Sequence, residues 1–210
     1  MGIKIAIIDY GVGNLHSVKN AFDYIGVETV IINDKKVLEC ADGLLLPGVG
    51  AFADASDLLK ETGLDVVLKK LCLIDKKPLL GICLGMQLLL DESLEGRGAK
   101  GLGFIKGRCE RIKDTGLKIP HVGWNDIVID KKESPIVKNT KDGSYVYFVH
   151  SYKAVVDSEN LIAHTFYGET IPAIIQNDNI FGAQFHPEKS EKVGLELLKT
   201  FSEYVERQKK

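Results

Sequence analysis

Gly81-Ile82-Cys83-Leu84-Gly85 lies between the apolar run Pro78-Leu79-Leu80 and the helical-looking Met86-Gln87-Leu88-Leu89-Leu90. Few folds satisfy what that order requires. A strand passing directly into a helix must turn sharply, and glycines two positions either side of the turning residue remove Cβ atoms that would collide there. The residue at the turn is a cysteine, held above the sheet as a nucleophile would be. N–H groups opening the next helix point at its sulfur and favour thiolate over thiol, which matters because free cysteine has a pKa of roughly 8.5. A buried structural cysteine is the commonest fate of any single Cys, so the pattern needs partners before it means chemistry.

The chain around it alternates. Residues 3–9 form a buried-type strand, 15–25 carry helical spacing in Leu15, Val18, Phe22 and Ile25, and 27–32 form a second strand. A third strand is expected at 43–46, helical material at 53–70 interrupted near Gly63, and a fourth strand at 78–82 feeding the turn. Short buried strands alternating with helices predict a parallel sheet covered on both faces. Beyond Gly96 the character changes to β-like runs at 101–113, 121–130, 145–156, 161–167, 172–176 and 180–185, separated by Gly, Asp and Asn. An amphipathic helix at 191–207 closes the chain, with Val193, Leu197, Leu198, Phe201 and Val205 on one face. The fold class expected is α/β: a flavodoxin-like, open, mostly parallel central sheet with helices on both faces, plus antiparallel strands in the C-terminal half. Residues 1–210 read as a single domain, since 210 residues with 45% hydrophobic content can bury one full core.

Charge and cysteine usage narrow the partners. A net charge of -2 offers no extended basic surface for nucleic acid or an anionic membrane, so a small polar substrate or a protein partner is expected. Cys40, Cys72, Cys83 and Cys109 form no CxxC pair and match no zinc spacing, which predicts free thiols in a reducing cytosol and no metal. No segment approaches the length of a membrane span, and the apolar start is too short for a secretory leader.

A nucleophile needs a base. Phe185-His186-Pro187-Glu188 follows the strand-like Ile180-Phe181-Gly182-Ala183-Gln184, placing His186 at a strand end, where open α/β sheets keep their chemistry. Glu188, two residues along an extended segment, can fold back to hold the imidazole in the tautomer that accepts a thiol proton. His16, His121, His150 and His164 compete for that role. Pro47-Gly48-Val49-Gly50-Ala51-Phe52 follows the third strand; it makes either a plain turn or an oxyanion hole, whose N–H groups together with that of Leu84 would face a tetrahedral intermediate. Gly11-Val12-Gly13-Asn14 reads as a helix-start turn rather than a dinucleotide fingerprint, because His16 stands where the third glycine belongs.

Taken together, Pro47-Gly48-Val49-Gly50, Gly81-Ile82-Cys83-Leu84-Gly85-Met86-Gln87 and His186-Pro187-Glu188-Lys189-Ser190 resemble the class I (triad) glutamine amidotransferases. Met86 before Gln87, Pro120-His121-Val122-Gly123-Trp124-Asn125, Tyr147-Phe148-Val149-His150-Ser151-Tyr152 and the Lys189-Ser190 ending narrow the resemblance to the glutaminase subunits of imidazole glycerol phosphate synthases. It runs from Lys4 to about Phe201, with Val122 standing where the family often has Met. The resemblance implies a catalytic triad of Cys83, His186 and Glu188, and an oxyanion hole from the Val49 peptide and Leu84. It implies that L-glutamine is gripped by Gly50, Gln87, Glu95 and the backbone around Ser151, with no cofactor. It further implies a heterodimer with a (β/α)8-barrel cyclase subunit docked at Asn14, Val122, Trp124 and Lys189. Composition alone leaves Trp124 equally a core aromatic. Two other readings stay open: a paralogous glutaminase supplying ammonia for surface-sugar amidation, and a non-catalytic module on the same fold.

Overall fold

Every residue of β1 (Ile5–Ile8) is buried, and successive side chains leave opposite faces of the sheet: Ala6 and Ile8 join one apolar cluster, Ile5 and Ile7 the other. A strand with no polar face can only sit inside a sheet covered on both sides. The computed structural model describes residues 3–209; Met1, Gly2 and Lys210 lie outside the described residues. After β1 come α1 (Leu15–Tyr24), β2 (Thr29–Ile32), α2 (Lys35–Cys40), β3 (Gly43–Gly48), α3 (Phe52–Glu61) and α4 (Leu64–Lys69), which runs into a π-helical turn at Lys70–Ile74. Then follow β4 (Leu79–Cys83), α5 (Leu84–Leu88), β5 (Glu92–Ser93), β6 (Ala99–Lys100), β7 (Gly107–Arg111), β8 (His121–Ile129) and β9 (Ser144–His150). The chain ends through β10 (Tyr152–Val156), β11 (Leu161–Phe166), β12 (Thr170–Asn177), β13 (Ile180–Ala183) and α6 (Glu191–Gln208).

Among the described residues the main sheet has nine strands in the order β2-β1-β3-β4-β13-β12-β11-β8-β9. From β2 to β13 all pairings are parallel; from β13 to β9 they are antiparallel. The five-strand parallel part has the flavodoxin order, with β13 as its fifth strand. Phe22 of α1 and Leu197, Leu198, Phe201 and Val205 of α6 cover one face, and Phe52, Leu59, Leu64 and Leu68 of α3 and α4 cover the other. The fold class read from the sequence is the one observed.

One element was missed and two local expectations are corrected. The helix α2 was not anticipated, because only Leu38 in it is buried and six residues carry too little periodicity; Asp34 caps it, accepting from the N–H groups of Lys36 and Val37 at 2.8 and 3.4 Å. The helix after the cysteine stops at Leu88 rather than Leu90. Its last carbonyls are taken by the following loop, with Leu102 N–H on Leu88 O at 2.8 Å and Phe104 N–H on Leu89 O at 2.8 Å, so residues 101–105 cap a helix instead of starting a long strand. The run 145–156 breaks at Ser151: β9 completes the main sheet, and β10 pairs with β7 in a separate four-stranded sheet, β10-β7-β5-β6. No helix among the described residues is long and apolar enough to cross a membrane.

Candidate active site

Cys83 ends β4 with φ 54° and ψ -110°, a backbone conformation that L-residues with a side chain rarely adopt. The glycines around it are required by contact. A Cβ on Gly81 would lie 2.7 Å from the Gly85 carbonyl, and a Cβ on Gly85 would run into the Leu46 carbonyl. β4 and α5 are therefore pressed together at the turn, and the bend falls on the cysteine. Its sulfur opens on a cavity of about 350 Å³ that is also lined by Val49, Gly50, Leu84, Gln87, Glu95, Val149, His150, Ser151, Tyr152 and His186.

His186 arrives from the neighbouring strand, three residues beyond the end of β13, which pairs with β4 in register through Ala183 and Ile82. Its main chain is pinned: the His186 N–H donates to Tyr147 O at 3.0 Å, and Ser190 Oγ donates to the His186 carbonyl at 2.7 Å. Nδ1 meets Glu188 Oε1 at 2.8 Å, with the Glu188 side chain only 1% exposed. Glu188 reaches back through a 3-10 turn, Pro187–Lys189, rather than along the extended segment expected. Burial opposes the charged imidazole, but the hydrogen bonds and negative charges of Cys83 and Glu188 outweigh it and push the His186 pKa up to about 9. With Nδ1 engaged by Glu188, Nε2 is the ring nitrogen left for Cys83, and it is buried with no hydrogen-bond partner among the described residues. Such looseness is usual before substrate fills a site.

The competing histidines do other work. His16 is exposed, and His164 Nδ1 pairs with Asp130 at 2.8 Å. His121 and His150 are buried and bonded to each other, Nδ1 to Nε2, at 3.1 Å. Burial pushes them down to about 4 and about 3, so both stay neutral at physiological pH. His150 Nδ1 lies 2.8 Å from Tyr152 O, an acceptor, so that nitrogen carries the proton and Nε2 accepts from His121.

Tyr152 O also accepts from Gln87 Nε2 at 3.0 Å, and the same amide nitrogen donates to Gln184 Oε1 at 3.1 Å. With both N–H bonds used, Gln87 turns its carbonyl oxygen free for a ligand. Gln184 Nε2 stands 3.8 Å from Cys83 Sγ. Sequence reasoning missed Gln184, which is fully buried. The signal existed, because two residues before His186 in an extended run is the same face. Glu95 accepts from the Phe52 N–H at 2.8 Å, supplying the opening of α3 with the cap that Ala51 lacks and fixing its carboxylate against the cavity.

Val122 and Trp124 are 54% and 47% exposed on β8, so Trp124 is a surface aromatic and not a core one. Its ring meets Tyr147 edge-on at 6.0 Å. Lys189 is exposed one residue from Glu188, and Asn14 is exposed while also capping α1 through Ser17 N–H at 3.4 Å, which confirms the Gly11–Asn14 segment as a helix-start turn. The four cysteines are free, with Cys72 and Cys109 buried in the core.

A cysteine at a strained strand–helix turn, sharing a cavity with an imidazole bonded to a buried carboxylate, is the arrangement that thiol-dependent acyl chemistry needs, and comparison with known proteins gives the class. A family model described as Glutamine amidotransferase class-I matches residues 6–203. The chain is 48% identical over 202 residues to Imidazole glycerol phosphate synthase subunit HisH of Bacillus cereus, covering 96% of this chain and 95% of that one. To the subunit of the same name from Caldanaerobacter subterraneus subsp. tengcongensis it is 49% identical, over 96% and 98% of the two chains. A chain in the structure of PurLQS from Thermotoga maritima shares the fold with a TM-score of 0.77 at 20% identity, covering 98% of this chain and 100% of that chain. The chain belongs to the class-I glutamine amidotransferases. Within that class it is a member of the HisH family, the glutamine amidotransferase subunits of imidazole glycerol phosphate synthase.

Proposed function

We propose that this single domain hydrolyses L-glutamine through a cysteinyl thioester and delivers the ammonia to a (β/α)8-barrel cyclase subunit. The carrying observation is that Cys83, held at φ 54°, shares one cavity with a His186 whose other nitrogen is bound to Glu188 at 2.8 Å. Cys83 Sγ adds to the substrate carboxamide carbon, and the new oxyanion is received by the N–H groups of Val49 and Leu84. His186, which holds a proton through neutral pH, gives it to the departing nitrogen, so ammonia leaves and the thioester remains. The imidazole then takes a proton from water as the water attacks, and glutamate leaves as the thiolate is restored beside the imidazolium. Gly50, Gln87, Glu95 and the backbone at Ser151 hold the rest of the amino acid.

The Glu95 carboxylate is the one negative group among the residues proposed to grip the substrate, and an α-ammonium is what distinguishes free glutamine from a peptide-bound residue. Glu95→Gln keeps the acceptor for Phe52 and removes the charge. It is expected to raise KM for glutamine about 10–100-fold, the worth of a charge-assisted hydrogen bond, with kcat changed only a few-fold. Steady-state kinetics decide it; equal loss in both parameters would move Glu95 from binding to chemistry.

The acceptor follows from the HisH relatives. Ammonia would convert the phosphoribulosyl-formimino aminoimidazole carboxamide ribonucleotide on the cyclase to imidazole glycerol phosphate and the aminoimidazole carboxamide ribonucleotide, a cytosolic step of histidine biosynthesis. Asn14, Val122, Trp124 and Lys189 form the proposed docking face. Trp124 meets Tyr147 edge-on and the Tyr147 carbonyl accepts from the His186 N–H, a contact path that supports coupling between the proposed docking face and the proposed base. Because one oxyanion donor is worth about 10²–10³-fold, isolated chain should hydrolyse glutamine poorly and gain on that order when the cyclase and its nucleotide are added. Full turnover by the chain alone would refute the coupling, and failure to rescue a histidine auxotroph would favour the sugar-amidation acceptor instead.

A further inference from the structure

Tyr10 follows β1, is 2% exposed, and its Oη has no hydrogen-bond partner among the described residues. Burying a hydroxyl without a partner is unfavourable, so each such atom in a folded protein calls for an explanation. The hydroxyl lies directly beneath the loop that leads from β3: a Cβ on Gly48 would run into Tyr10 Oη, and would stand 3.1 Å from Leu84 Cβ and 3.2 Å from Gly85 N. Tyr10 belongs to the buried apolar cluster and is not among the residues that line the cavity, so it meets Gly48 from within the packed interior. Burial raises the phenol pKa, and the nearby Cys83 raises it further, so Oη remains a donor throughout the working pH range.

Gly48 is the last residue of β3, paired with Cys83, so the Gly48–Val49 peptide stands where the ladder ends. Glycines flank Val49 on both sides, Gly50 already has φ +103°, and the Val49 side chain is 44% exposed. In one peptide the C=O and the N–H point in opposite directions. Turning the Val49 N–H into the cavity, toward an oxyanion, therefore swings the Gly48 carbonyl back into the protein, where an unpartnered carbonyl would oppose the rotation. We propose that Tyr10 is a positioning residue for the oxyanion hole, its hydroxyl donating to the Gly48 carbonyl in the orientation that presents the Val49 N–H to substrate. The proposal rests on the glutaminase reading of Cys83.

Tyr10→Phe deletes only the hydroxyl. Assayed as the complex with the barrel cyclase and its nucleotide, the variant is expected to lose about 3–10-fold in kcat at unchanged KM, one hydrogen bond's worth, while its melting temperature stays level or rises because an unpartnered polar atom has gone. Alkylation of Cys83 by iodoacetamide, measured in a Cys40→Ser background, needs no oxyanion hole and should proceed at the parental rate. A kcat within the error of wild type, slowed alkylation, or a lower melting temperature each overturns the proposal, the last because it gives the hydroxyl a partner in the resting fold. Failure of the variant to fold overturns it on the same ground. Cys83→Ala run in parallel separates the two claims: if it retains turnover, the glutaminase assignment itself falls.

Discussion

Cys83→Ala is expected to reduce glutamine hydrolysis by at least about 10⁴-fold while glutamine affinity stays close to that of wild type, since loss of a covalent nucleophile leaves only binding and oxyanion stabilisation. Isothermal titration and a coupled glutamate assay measure the two separately. A companion substitution tests why the position is costly. Held at φ 54° and ψ -110°, residue 83 stores strain of order 1–3 kcal/mol that alanine keeps and glycine relieves. Against this, glycine gives the unfolded chain about 0.4–1 kcal/mol of extra entropy. Cys83→Gly should therefore melt about 2–4 °C above Cys83→Ala, with both inactive, a net gain of about 1 kcal/mol in a domain of this size. Equal melting temperatures would mean that the elbow is not strained, and retained hydrolysis in either would remove Cys83 from the mechanism.

His186→Ala should lower kcat about 10²–10⁴-fold, the range for a positioned acid–base group. Glu188→Gln is the more informative partner, because its amide oxygen can still accept from Nδ1 at the 2.8 Å seen here while the negative charge is gone. It should bring the His186 pKa down from about 9 toward the ordinary value of 6.5. The sign for stability follows. A histidine whose folded pKa exceeds its unfolded value adds stability that is complete below about pH 6.5 and is lost as pH rises through about 9. Wild type should therefore lose stability between these limits, and Glu188→Gln should show a shallower loss over the same window. Chemical denaturation at pH 6, 7.5 and 9, with the imidazole followed by NMR, reads both; parallel stability profiles for the two proteins would show that Glu188 does not support the imidazolium.

The HisH family assignment and the geometry carry different loads in these expectations. Family membership says that glutamine is the nitrogen source. The polar chain from Asn125 through His121, His150, Tyr152, Gln87 and Gln184 to Cys83 says how the site is kept in order, with contacts of 3.4, 3.1, 2.8, 3.0, 3.1 and 3.8 Å. The first member stands on β8, the strand that also carries Val122 and Trp124 to the surface. Both histidines in the chain are neutral, so it orients groups without adding positive charge beside His186.

Much of this was legible before any coordinates. Hydrophobic period and glycine placement gave the parallel half of the sheet, both covering helices α1 and α6, and the elbow, because these are local consequences of which side chains must be buried and where a Cβ cannot fit. That Cys83 and His186 would stand at neighbouring strand ends was legible for a related reason, since strand ends can be read from where an apolar run stops. α2 was too short to show a period, and the capture of the α5 carbonyls by residues 101–105 depends on groups that meet only in the folded chain.

What the sequence determined by itself was the pattern of burial, the sharp turn at Cys83 and the chemical inventory at the strand ends. Tertiary structure alone decided that His121 and His150 form a neutral pair rather than competing bases, that Gln184 reaches Cys83, and that the Tyr10 hydroxyl is left without a partner under Gly48. The physical reason is range. Periodicity and turn chemistry act over a few neighbouring residues, whereas protonation state and hydrogen-bond satisfaction depend on which distant groups share a dry interior, and only the packed sheet brings them together.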